Sequence, residues 1–154
     1  VRIEECCYIG HGAILRGDYG TIHVGYGSAI EEGVIVHARP ADQTVFGREV
    51  TVGHGAMIHN AIIEDHAVIG MRATVSDYAR VGAWTIIGEM GLVRNGQQIP
   101  AGKVAVGVPV KVIGNITEKQ KMFWSYGKQL YQDLARRYPE GLREISRDQA
   151  KKTD

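Results

Sequence analysis

The sequence predicts a parallel β-helix of hexapeptide repeats followed by one α-helix. Twenty glycines are scattered among Ile and Val, a composition that suits neither long helices nor ordinary hairpins. Large aliphatic residues also recur with a period of six: of 17 such positions 15 are Ile, Leu or Val, and 13 of the 16 steps between them equal six. The positions are Ile3, Ile9, Leu15, Val24, Ile30, Val36, Phe46, Val52, Ile58, Ile63, Ile69, Val75, Val81, Ile87, Val93, Ile99 and Ala105.

Six residues are enough for a short strand and a turn, so three repeats close one triangular coil whose aliphatic residues face a common interior. Successive coils stack about 4.8 Å apart. The coils are predicted to start at Ile3, Val24, Phe46, Ile63, Val81 and Ile99. The longer steps through "RGDYGTIH" and "VHARPADQTV" are predicted to be loops or tight corners, and the second must bulge outward. This β-helix is assigned to residues 1–114.

Residues 115–154 are predicted to form a helix with a frayed end. Thr117 and Gln120 have the spacing of a capping box. Apolar and aromatic residues then recur at helical spacing as far as Pro139, namely Phe123, Trp124, Leu130, Tyr131, Leu134 and Tyr138. We expect this helix to lie along the β-helix and to join subunit contacts, and we expect "GLREISRDQAKKTD" to fray.

Composition excludes several classes of function. Lys and Arg total 18 against 17 for Asp and Glu, so no strong field favours nucleic acid or an anionic membrane. No apolar run has transmembrane length. Cys6 and Cys7 are adjacent and so are poor disulfide partners, which favours a reducing compartment, the cytoplasm by default. The chain begins with Val1, and we expect residues upstream of it to be missing.

Stacking the repeats sorts the histidines into columns. Arg16, His37 and His59 each follow the third repeat of a coil, so they are predicted to stack on one edge of the prism. Glu32 and His54 stack on a different edge, with His11 and Met71 in the same column. Two imidazoles are too few for a metal centre. A cyclic trimer would set the His37 and His59 edge of one subunit against His54 of the next, giving three imidazole ligands and an open position.

The sequence also resembles the gamma-class carbonic anhydrases and related hexapeptide-repeat proteins. The matching segments are "LRGD" at 15–18, "IEEGVIVH" at 30–37, "VGHGAMIH" at 52–59, "IEDHAVIGM" at 63–71 and "AVGVPVKVI" at 105–113. The resemblance implies a left-handed β-helix, a homotrimer, and a metal ion held by His37 and His59 of one subunit and His54 of another. It also implies an ion-pair cluster of Arg16, Asp18 and Glu32 across the interface, and relatives usually carry about one further N-terminal coil.

The activity implied by the resemblance is hydration of carbon dioxide to bicarbonate by water that the metal acidifies to a pKa of about 7. Zinc, iron and cobalt all suit three imidazoles. Two positions depart from the family pattern: Tyr19 replaces an acid after the "RGD" segment, and Glu31 replaces a glutamine before Glu32. Glu31 is a candidate base or a solvated turn acid, and Tyr131 is a further candidate near the metal.

Two other classes of function stay open. One is an acyltransferase that uses acyl-coenzyme A, because "VGVPVKVI" resembles a segment of such enzymes. The other is a non-catalytic trimeric scaffold that binds metal. Metal content distinguishes the first from a carbonic anhydrase, and hydratase activity distinguishes the second.

Overall fold

A computed structural model describes residues 1–144; the last ten residues, which hold most of the predicted frayed end, lie outside the described residues. The strands are β1 (Arg2–Ile3), β2 (Tyr8–Ile9), β3 (Ile14–Arg16), β4 (Thr21–Val24), β5 (Ala29–Ile30), β6 (Ile35–His37), β7 (Gln43–Phe46), β8 (Thr51–Val52), β9 (Met57–His59), β10 (Ile62–Ile63), β11 (Val68–Ile69), β12 (Thr74–Val75), β13 (Arg80–Val81), β14 (Ile86–Ile87), β15 (Leu92–Val93), β16 (Gln98–Ile99), β17 (Lys103–Gly107) and β18 (Val110–Asn115). One helix follows, α1 (Glu118–Gly141).

Three sheets form the faces of a left-handed prism of about 5 turns. Sheet A contains β1, β4, β7, β10, β13 and β16; sheet B contains β2, β5, β8, β11, β14, β17 and β18; sheet C contains β3, β6, β9, β12 and β15. Every strand pair is parallel except β17 with β18. The predicted fold class is therefore confirmed, whereas the closing antiparallel hairpin was not predicted.

The register of the coils matches the six-residue period. Ile3 pairs with Val24, Val24 with Phe46, and Phe46 with Ile63, each at the predicted start of a coil. Val24, Phe46 and Ile63 are completely buried, as are the corresponding residues of sheets B and C in the middle coils. Because each aliphatic residue stacks on the one in the next coil, the core is a set of internal ladders.

The corners between strands are tight. The third residue after an interior aliphatic adopts a left-handed backbone, as at Arg72 (φ 56°), Tyr78 (φ 61°) and Gly55 (φ 68°). Most side chains tolerate this conformation poorly, whereas glycine adopts it without strain. These turns set where each strand ends. They therefore also set the edge from which the residues at the end of a strand project.

Helix α1 packs on the outer face of sheet B. Its capping box forms as predicted: Gln120 N donates to Thr117 Oγ1 at 3.2 Å, and Thr117 N donates to Gln120 Oε1 at 2.9 Å. The Tyr131 ring lies 5.0 Å from the Tyr8 ring, centroid to centroid. Lys128 is buried beneath the helix and donates from Nζ to Thr51 Oγ1 at 3.0 Å.

The sequence left two features of the helix open. The first is its end: the helix extends two residues beyond Pro139, to Gly141. The second is its orientation: Phe123 and Leu130, both in the predicted apolar stripe, are 67% and 49% exposed in the single chain. The face turned to sheet B carries Lys128 and Tyr131, whereas Phe123 and Leu130 face away from it.

Candidate metal centre

His37 and His59 are brought together by the parallel pairing of β6 with β9. They occupy opposite positions in the register, and Arg16 of β3 occupies the next position in the same ladder. His37 Nδ1 lies 3.0 Å from His59 Nε2. The predicted column therefore exists, and two ring nitrogens point at each other.

Each of these imidazoles has its other nitrogen beside a carboxylate. His37 Nε2 lies 3.1 Å from Asp18 Oδ1, and Asp18 Oδ2 accepts from Arg16 at 2.7 Å. The hydrogen bond from Arg16, aided by that from His37, holds the pKa of Asp18 below its usual value. Arg16 and Asp18 are thus joined within one chain, and they lie beside a predicted metal ligand.

His59 has a corresponding partner that the sequence analysis missed. Its Nδ1 is hydrogen-bonded to Asp77 Oδ1, and Asp77 Oδ2 accepts from Arg39 at 3.1 Å. Desolvation works to raise the pKa of Asp77, but the hydrogen bonds from His59 and Arg39 outweigh it and lower the pKa. The available signal was the stacking itself, because Asp77 lies at the corner of the coil next to that of His59.

The loop between β6 and β7 closes over this edge. Thr44 Oγ1 donates to the carbonyl of His37 at 2.7 Å. Asn60, the residue after His59, accepts from the backbone of Arg39 at 3.1 Å and donates to Asp42 at 2.9 Å. The loop is consequently fastened to the same two coils that carry the paired histidines.

His54 lies on the other predicted edge, where sheet B turns into sheet C. Its Nε2 is 3.0 Å from Glu31 Oε2, and its Nδ1 is 2.8 Å from Glu32 Oε2. Its backbone N–H also donates to Glu31, at 3.1 Å. Glu32 accepts from the Tyr8 hydroxyl. In one chain, therefore, Glu32 belongs to the His54 cluster and does not join Arg16 and Asp18.

Glu31 differs from Glu32 in its surroundings. Burial raises the pKa of Glu31 despite the opposing effects of Tyr131 and His54. For Glu32 desolvation is offset by hydrogen bonds from Tyr8 and His54, and its pKa is lowered. Burial, together with the charge of Glu31, also raises the pKa of Tyr131. Tyr131 thus contacts the His54 cluster and not the His37 and His59 pair.

Beside His54, a groove of about 420 Å³ lies between part of α1 and the outer face of sheet B. Its lining is mostly apolar and includes Met71 and Trp124, with Glu31 and Tyr131 at the His54 end. The remaining three histidines lie elsewhere. His11 lies beside the Tyr138 ring, 5.8 Å between centroids; His23 pairs with Glu4 at 2.9 Å; and His66 stacks on Trp84 at 4.3 Å.

The donors at the first edge fit a divalent transition metal. Imidazole is a preferred ligand of zinc, cobalt and iron, and a metal-ligating histidine usually donates its second ring N–H to a carboxylate. Asp18 and Asp77 supply that arrangement on both sides of the facing nitrogens. Within residues 1–144 of a single chain, however, no group of three His, Cys, Asp or Glu side chains is arranged to hold a metal.

Comparison with known proteins places this fold among the hexapeptide-repeat proteins. The chain is 34% identical over 137 residues to the carnitine operon protein CaiE of Salmonella agona, covering 89% of this chain and 69% of that protein. It is also 34% identical over 141 residues to mitochondrial gamma carbonic anhydrase 2 of Arabidopsis thaliana. That match covers 88% of this chain but 51% of the plant protein, so the chain spans about half the length of that relative.

Two solved structures have a closely similar fold. A Bacillus cereus protein described as an acetyltransferase superposes with a TM-score of 0.85 at 28% identity, covering 89% of this chain and 79% of that one. A hexapeptide transferase family protein from Anaplasma phagocytophilum gives 0.83 at 28% identity, covering 89% and 82%. No family model matches the chain. The chain belongs to the gamma carbonic anhydrase-like family of hexapeptide-repeat proteins, as its sequence motifs indicated.

The described part of the chain, residues 1–144, contains no helix of the length and apolarity needed to cross a membrane.

Proposed function

We propose that this chain is a metal-dependent carbonic anhydrase-like enzyme that hydrates carbon dioxide to bicarbonate as a homotrimer. The observation that carries the proposal is the pair of facing nitrogens, His37 Nδ1 and His59 Nε2, each imidazole backed by a carboxylate. Family membership supports the same reading. His37 and His59 of one subunit and His54 of the next would hold zinc, or alternatively iron or cobalt.

The surface around the histidines supports assembly. Ile14, Ile35 and Met57 form an outer ladder on sheet C and are 53%, 40% and 46% exposed. Each lies two residues before Arg16, His37 or His59, on the same face of its strand. An apolar ladder beside half of a metal site is what a subunit interface would cover. The His54 edge offers Met71, which is 43% exposed, as an apolar counterpart.

The metal would supply Lewis acidity, lowering the pKa of water to about 7 so that it can attack carbon dioxide. The chain's own residues orient the ligands: Asp18 accepts from His37, and Glu32 lies against Nδ1 of His54. Glu31, which lies against Nε2, would release that nitrogen when His54 binds the metal. We assign Glu31 as the candidate base, since it is a buried carboxylate next to His54, and Tyr131 as its neighbour that orients it. Arg16 would fix Asp18.

Complementation between two inactive variants tests the shared site. His54→Ala and His59→Ala, expressed separately, should each lose metal, because two imidazoles bind a divalent ion far less tightly than three. Co-expressed, they should regain part of the metal and of the hydration activity, since a mixed trimer can place an intact His54 against an intact His37 and His59 pair. Mixed trimers without metal, alongside wild-type protein that binds it, would refute a site shared between subunits.

A second candidate function is acyl transfer from coenzyme A. It is favoured by the likeness, at a TM-score of 0.85, to a protein described as an acetyltransferase. Calorimetry with acetyl-coenzyme A, together with a carbon dioxide hydration assay on the zinc-loaded protein, separates the two. Binding of the thioester without hydratase activity would favour acyl transfer, and metal binding with neither would favour a scaffold.

Cys6 and Cys7 are both free, which fits our proposal of a cytoplasmic location.

A further inference from the structure

Asp77 and Arg39 lie at the paired-histidine edge, where Asp77 is the carboxylate behind His59 and Arg39 is so far without a role. Asp77 is at the corner after β12, two residues beyond the buried Val75. Its carboxylate reaches back across one coil spacing to His59 and across the surface to Arg39 of the loop between β6 and β7. The two oxygens are used by different partners: Oδ1 by the imidazole and Oδ2 by the guanidinium.

We propose that Asp77 is a positioning residue for the metal ligand His59, and that Arg39 locks Asp77 in place. The inference rests on the proposed function, because it concerns the same metal centre. Asp77 can only accept, so the hydrogen bond between them places the ring proton of neutral His59 on Nδ1. The lone pair is then on Nε2, the nitrogen that faces His37. Asp77 therefore selects the tautomer in which His59 can bind a metal ion toward His37.

The loop between β6 and β7 holds Arg39 in place against Asp77. Arg39 is held at its guanidinium by Asp77 and at its backbone N–H by Asn60, the residue that follows His59. The Arg39 guanidinium also lies 6.0 Å from the centroid of the Tyr78 ring, next to Asp77 in the chain. These contacts tie the loop to both coils, so the orientation of Asp77 does not depend on a single exposed ion pair, which would stabilise little on its own.

The arrangement around His59 parallels that around His37. Asp18 accepts from His37 on the far side of the ring and is itself paired with Arg16. The site thus has two imidazoles, each with a carboxylate behind it and an arginine behind the carboxylate. The Asp77 and Arg39 half is built from the corner after β12 and the loop between β6 and β7.

Zinc affinity tests the proposal, measured by competition with a chromophoric chelator on the whole chain. Asp77→Asn keeps the shape of the side chain, but its amide cannot accept from both His59 and Arg39. We expect zinc affinity to fall about 10- to 100-fold and the visible spectrum of the cobalt-substituted protein to change. Asp65→Asn is the matched control: Asp65 also lies two residues after a buried aliphatic, Ile63, but accepts from the backbone of Arg48, away from His37 and His59.

The thermal midpoint of the metal-free protein separates positioning from a structural role. A purely structural role predicts a lower midpoint for Asp77→Asn with zinc affinity and the cobalt spectrum unchanged, and that result overturns the proposal. If Asp77→Asn does not fold, Arg39→Met decides: affinity should fall measurably, and unchanged affinity overturns the proposal. Wild-type protein that binds neither zinc nor cobalt would reject the metal centre as a whole, whereas wild-type binding with unaffected variants rejects only the role of Asp77.

Discussion

His37 and His59 are 22 residues apart in the chain, yet they occupy neighbouring positions of one ladder with ring nitrogens 3.0 Å apart. The coil that separates them sets this distance, because each turn of the prism brings the chain back one strand spacing further along. His54, only five residues before His59, faces Glu31 and Glu32 on another edge. The histidine nearest to His59 in the sequence is therefore on another edge, and the one 22 residues away is its neighbour in space.

The first prediction concerns stabilisation by metal. Adding zinc to chelator-treated protein should raise its unfolding temperature, with about 2.7 kcal/mol of stabilisation when free zinc is 100 times its dissociation constant. His37→Ala should abolish this response. His23→Ala, which removes an imidazole paired with Glu4 on a different face, should keep it. Differential scanning calorimetry over a zinc series measures the effect, and an equal response in both variants would place the metal elsewhere.

A second prediction tests the register with two neighbouring isoleucines. Ile63 is completely buried, whereas the adjacent Ile62 points outward and lies opposite Arg80 of the next coil. Ile63→Asp should cost several kcal/mol, roughly 3 or more, because it buries an unpaired charge. Ile62→Asp should cost about 1 kcal/mol, because the partly buried, outward side chain lets the carboxylate reach water. Urea denaturation at one pH measures both, and equal losses would contradict the inward and outward alternation.

The register could be predicted because the six-residue period leaves few alternatives. Once Val24, Phe46 and Ile63 are assigned to the interior, the stacking of coils determines every column, including that of His37 and His59. The same logic assigned Glu32 and His54 to one edge, and their side chains do touch. A repeat therefore carries three-dimensional information that a non-repetitive sequence of the same length lacks.

Contacts outside the repeat could not be predicted in this way. Arg39 lies in a ten-residue step whose path no period describes, so its ion pair with Asp77 was missed. Phe123 and Leu130 have helical spacing, but spacing does not tell which face of a helix meets the sheet. That face is decided by single contacts, such as Lys128 with Thr51, that have no periodic signature.

A third prediction concerns the fit of the loop against Gly20. A Cβ atom at Gly20 would lie 2.3 Å from the carbonyl oxygen of Arg39 and 2.6 Å from that of Asp42. These are backbone atoms, so Gly20→Ala should shift the loop, cost about 1–3 kcal/mol and weaken zinc binding. Gly127→Ala is the matched change, in α1 with open space around it. It should stabilise the chain by about 0.5–1 kcal/mol and leave zinc binding unchanged. Unchanged stability in Gly20→Ala would mean that the loop can move aside without a cost in stability.

The last prediction uses the buried Lys128. Desolvation lowers its pKa to about 8, against the opposing charges of Glu49 and Glu31, whereas an unfolded chain restores the usual value near 10.5. Between these two values the unfolded state binds more protons than the folded state, so the contribution of Lys128 to the free energy of unfolding increases as pH rises. From pH 7 to pH 9.5 that contribution should grow by roughly 2 kcal/mol.

Lys128→Met isolates this effect, because it removes the charge and keeps most of the apolar volume. The difference in unfolding free energy between wild type and variant, both metal-free, cancels other groups that titrate in the same range, such as Cys7, whose pKa is raised by burial. The variant should be the more stable protein at pH 7, and wild type should gain on it up to pH 9.5. Above that, Tyr8 and Tyr131, whose pKa values are raised, begin to titrate in the unfolded state. A difference that stays constant from pH 7 to pH 9.5 would show that Lys128 keeps its proton beneath the helix, and that the ammonium group, hydrogen-bonded to Thr51, is well accommodated there.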